Sequence, residues 1–95
     1  MTQVEFEGLL ATAASGQRFS RFKPGQLIDW LSDLASGLAD DLDINKADVL
    51  AAVESFYNAV IRPLDLPYIP NFVEKTVDDF ILKAILQVID NTLPA

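Results

Sequence analysis

Apolar residues recur at helical spacing along nearly the whole chain, and no stretch alternates apolar and polar residues in the way a half-buried strand requires. Leu27, Leu31, Leu34 and Leu38 show the pattern most plainly, with Ile28 and Ala35 widening the stripe. A chain patterned this way is expected to fold as an all-α bundle. Its 95 residues can build one hydrophobic core, so a single helical domain over residues 1–95 is expected.

Local signals divide the chain into four helices. Thr2 and Glu5 read as a capping box opening a helix over 3–15, with Phe6, Leu9, Leu10 and Ala13 inward and Gly16 as its stop. Pro24 suits the first position of a second helix over 24–41, since its missing N–H costs nothing there. Gly37 interrupts that helix at a cost of about 1 kcal/mol against alanine, but Leu38 and Leu42 keep the phase. Asn45 and Asp48 read as the cap and third position of a helix over 46–62, whose inward face is Val49, Leu50, Val53, Phe56, Tyr57, Val60 and Ile61. Pro63, Pro67 and Pro70 then punctuate a Pro-rich loop, and Asn71 with Glu74 forms the cap of a last helix over 71–92.

The last helix is apolar on more than one stripe. Phe72, Val73, Val77, Phe80, Ile81, Leu82, Ala84, Ile85, Leu86, Val88 and Ile89 leave only a narrow polar face of Thr76, Asp79, Lys83, Gln87 and Asp90. Lys75 with Asp79 and Asp79 with Lys83 are spaced as weak i,i+4 ion pairs. A helix apolar on three sides must be covered on three sides, either by the rest of its chain or by a second copy in a homodimer.

Composition narrows the chemistry. With no cysteine and no histidine the chain has no disulfide, no thiolate nucleophile, no imidazole base and no Cys/His metal site, so neither a cofactor nor a metal is expected. Serines and carboxylates are present, but no spacing makes them converge, and no catalytic residue is assigned; the chain reads as a non-enzyme. A net charge of −7 disfavours nucleic acid, which needs clustered bases. Glu5 and Glu7 near the start argue against a signal leader, and the run Phe80–Ile89, broken by Lys83 and Gln87, is far short of the roughly 20 residues that span a bilayer. The expectation is a soluble protein, with the cytoplasm favoured.

Several features remain as candidate surfaces. The acidity is concentrated: residues 25–60 hold seven carboxylates against the single base Lys46. Asp29 and Asp33 repel across one helical turn, and Asp40 and Asp41 sit at the negative end of the second helix, so these four mark either a solvated face kept acidic for solubility or a face for a basic partner. Asp41, Asp43 and Asn45 are spaced like the first ligands of a calcium loop, but Lys46 and Ala52 stand where glycine and a closing glutamate belong, which leaves helix capping as the better reading.

Arg18, Phe19, Arg21, Phe22 and Lys23 interleave bases and aromatics between the first two helices, where the rings anchor the link and the bases meet the chain's own acids or a lipid headgroup. Trp30 lies at the margin of the leucine stripe, as boundary packing or as an interface anchor. Tyr68 and Ile69 give the proline loop an apolar edge able to pack on the bundle or meet a partner. The leading expectation is an acidic protein-interaction module, self-associating or binding a basic protein. The alternative is a binder of lipid or another hydrophobic ligand at the last helix and the Tyr68 loop, with peripheral membrane contact.

Overall fold

The computed structural model describes residues 1–19, 22–64 and 73–94. Four α-helices run in the order α1 (Gln3–Ala14), α2 (Pro24–Asp41), α3 (Lys46–Phe56, continued by a π-helical turn Tyr57–Ile61) and α4 (Glu74–Thr92), and the described residues contain no strand. The fold is therefore the expected all-α four-helix arrangement. Its radius of gyration, 12.8 Å, matches the ~13 Å of a compact chain of about 100 residues.

The helix starts follow from their caps. The Thr2 hydroxyl accepts the Glu5 N–H at 3.2 Å while the Glu5 carboxylate accepts the Thr2 N–H at 3.1 Å, closing the capping box. Those Thr2 donors hold the Glu5 carboxyl below its ordinary range. Asn45 accepts the Asp48 N–H at 2.9 Å and opens α3. At α2, Pro24 is in the first turn and the Gln26 side chain accepts the Lys23 N–H at 2.9 Å. The second helix has the expected bounds, Gly37 included.

The first and third helices also start where expected, at Gln3 and Lys46, but three other ends differ. The first helix ends at Ala14, and its inward stripe is Phe6, Leu10 and Ala14 rather than one that includes Leu9 and Ala13. It rests chiefly on α3, and a helix with one main neighbour buries a narrow i,i+4 line. The third helix does not stay α-helical to residue 62. The Arg62 N–H reaches back to the Tyr57 carbonyl at 2.9 Å, an i to i+5 bond, and this wider turn slips the phase so that Ile61 buries while Val60 is left at the exposed rim. The fourth helix starts at Glu74, three residues later than expected, and Asn71, its expected cap, lies outside the described residues.

The four helices share one core. Phe6 and Leu10 from α1, Leu27, Leu31 and Ala35 from α2, Val49, Val53 and Phe56 from α3, and Ile81, Ile85 and Ile89 from α4 are all excluded from solvent. Each large aliphatic group so buried contributes about 1.5–3 kcal/mol before chain entropy is counted. The closest packing pairs α1 with α3 and α2 with α4. On α2 the residues Ser32, Ala35 and Ser36 are small and buried, which admits a neighbouring helix at short range. The wide apolar surface of α4 is thus largely covered by its own chain. Phe80 and Val88 are the exceptions, at 69% and 41% exposed.

Candidate functional site

The stripe on α2 is set by helical spacing. Asp29, Asp33 and Asp40 are four and seven residues apart, which keeps them within about 40° of arc on one face, and all three are exposed. Asp41 is exposed as well but lies about 100° further round, off that stripe. None of the four makes an ion pair among the described residues.

The acids of α4 differ in this respect. Asp79 meets Arg62 at 2.8 Å, and Asp90 meets Lys46 at 2.8 Å. The expected pairing of Asp79 with Lys75 or Lys83 is replaced because the π-helical end of α3 carries the Arg62 guanidinium across to it, where Arg62 Nε also donates to Asn58 at 2.9 Å.

Trp30 is half-buried and makes edge contacts with Phe19 and Phe22, its ring centroid 5.3 and 5.9 Å from theirs, and Phe19 meets Phe22 at 5.7 Å. The three rings fasten the link between α1 and α2 to the bundle, as expected of the two phenylalanines. This places Trp30 in boundary packing. Tyr68 and Ile69 lie outside the described residues. The acids following α2 form no cation cage. Asn45 caps α3, the Asp43 carbonyl accepts the N-terminal ammonium at 2.8 Å, and no cluster of carboxylates able to hold a metal occurs among the described residues.

Two features escaped the sequence reading. Asp78 is buried at 2% exposure and accepts the Tyr57 hydroxyl at 2.7 Å, joining α4 to the π-helical turn. Burial, then the hydrogen bond to Asp78 and its negative charge, push the Tyr57 phenol far above its ordinary pKa. Arg62 lies 5.9 Å from the centre of the Tyr57 ring, so its cation covers the same turn from outside. The second feature is a groove of about 480 Å³ between α3 and α4. Leu50, Leu82 and Leu86 line it together with Asp79, Lys83, Gln87 and Asp90. The Arg62–Asp79 and Lys46–Asp90 pairs involve its two terminal carboxylates.

Among the described residues no helix is long and apolar enough to cross a membrane. No family model, curated protein or solved structure matches the chain.

Proposed function

We propose that this chain is a small protein-interaction module that engages a basic partner through the exposed edge of α2. The observation that carries this reading is the line of Asp29, Asp33 and Asp40, ionisable groups on one stripe with no ion pair among the described residues. On a chain of net charge −7 such an edge attracts cations and steers encounter. Carboxylates kept only for solubility need no alignment. The test is a titration with oligolysine followed by amide chemical shifts. Shifts should concentrate on α2, weaken as salt rises, and vanish in the Asp29→Asn, Asp33→Asn, Asp40→Asn triple variant. Equal shifts around every carboxylate of the surface would defeat the reading.

The groove between α3 and α4 supports a second reading, binding of a long-chain anionic amphiphile. Its volume of about 480 Å³ falls in the range of small-molecule sites, its floor is leucine, and Lys83 on its rim has no ion pair among the described residues. A fatty acid should then raise the melting temperature, and Lys83→Ala should reduce the rise. No shift at a saturating concentration would remove this reading.

A further inference from the structure

The acidic stripe of α2 adjoins the part of α4 that the other described residues leave uncovered. Ala39 and Asp40 line a small cavity together with Leu93 and Pro94, so the C-terminal ends of α2 and α4 meet. The two helices pack along each other and run in the same direction. With that end fixed and both rising at 1.5 Å per residue, Asp29 and Asp33 come level with the Phe80–Val88 stretch of α4.

Helical phase supplies the lateral placement. Moving outward around α2 from the buried Ser32 and Ser36, the next residues met are Asp29, Asp40 and Asp33. On α4 the flank bearing Asp79, Lys83, Gln87 and Asp90 is turned to the α3 groove, so the opposite flank, with Val88, Val77 and Ala84, borders α2, and Phe80 follows at the centre of the outer surface. An apolar ridge and an acidic ridge with no ion pair among the described residues therefore run side by side on one outer face.

We propose that the partner at this face is a basic amphipathic helix, laid across α2 and α4 with its apolar stripe on Phe80 and Val88 and its lysines or arginines opposite Asp29 and Asp33. This deepens the reading of α2 as a docking edge and rests on it. Charge complementarity selects the occupant. An anionic membrane would be repelled by the carboxylates on the α2 side of the apolar ridge, and a second copy docked antiparallel would bring its own acidic stripe against this one. Length agrees as well: Phe80 to Val88 spans about 12 Å along α4, close to the reach of i, i+4 and i+7 anchors on a docked helix. Phe80, a phenylalanine 69% exposed at the centre of the outer surface of α4, is the anchor.

The experiment uses two synthetic peptides of leucine and lysine, about four helical turns long and equal in composition, one with leucine at helical spacing and one scrambled. The amphipathic peptide should bind the full chain at least tenfold more tightly than the scrambled one, gain helical circular dichroism on binding, and shift amides of α2 and α4 on this face. Phe80→Ser, at an exposed position that leaves the core intact, should weaken it at least tenfold, and Val88→Ser should weaken it to a smaller extent. Equal affinity of the two peptides would overturn the helix inference while leaving the acidic edge standing, provided oligolysine still maps to α2. An unchanged affinity of Phe80→Ser, or shifts centred on the α3–α4 groove, would overturn it too. If neither peptide nor oligolysine perturbs α2, both the inference and the docking edge fall.

Discussion

Tyr57, between the buried Val53 and Ile61, and Asp78, just before the buried Ile81 and Leu82, put a phenol and a carboxylate in aliphatic surroundings, and the pair forms a buried polar contact between helices. Up to the ordinary tyrosine pKa of 10.0 the phenol stays protonated in the folded and the unfolded chain alike. Above it the unfolded phenol ionises while the buried one does not, so stability should fall as pH rises, by about 1.4 kcal/mol per pH unit. Tyr57→Phe should remove this alkaline slope. Near neutral pH the same change strips Asp78 of its donor and should cost about 1–3 kcal/mol. Urea unfolding of both proteins at about pH 7 and about pH 11 checks the two effects, and an unchanged alkaline slope would contradict the assigned burial. Tyr57 was legible as an inward residue. Asp78 was not, because a carboxylate reads as surface by type. The signal that could have found it is phase, since it stands three, four and seven residues before the buried Ile81, Leu82 and Ile85.

Helix by helix, legibility followed the strength of local chemistry. The second helix has a proline at its start and an unbroken leucine series, and its bounds were read correctly through Gly37. At that glycine a Cβ would meet nothing within 4 Å, and the backbone is helical. Gly37→Ala should therefore stabilise the chain by about 0.5–1 kcal/mol, measured as a higher urea midpoint at constant m-value; a loss of stability would show that α2 needs the glycine. The π-helical turn at Tyr57–Ile61 was hidden, because the apolar run Phe56, Tyr57, Val60, Ile61 satisfies an α-helix equally well. What selects the wider turn is tertiary: it buries Phe56, Tyr57 and Ile61 together, with Tyr57 in reach of Asp78, at the expense of Val60.

Across the whole molecule, the sequence placed Asp29, Asp33 and Asp40 on one helix and an excess of apolar residues on another, but not the adjacency of these two surfaces, which depends on α2 packing beside α4. The need for a second copy to cover α4 also shrinks, since Ile81, Leu82, Ile85 and Ile89 are buried by their own chain. With the remaining apolar ridge bordered by carboxylates, the chain should be monomeric at low micromolar concentration in light scattering after size exclusion, and a stable dimer there would count against the proposed face. The aromatic triad has a practical consequence. The chain contains one tryptophan, and its indole is set against Phe19 and Phe22 at the α1–α2 link. Its fluorescence is therefore a native reporter of whether that link is docked: emission should shift strongly to the red on unfolding, and stay nearly still while a ligand settles on the Phe80 ridge.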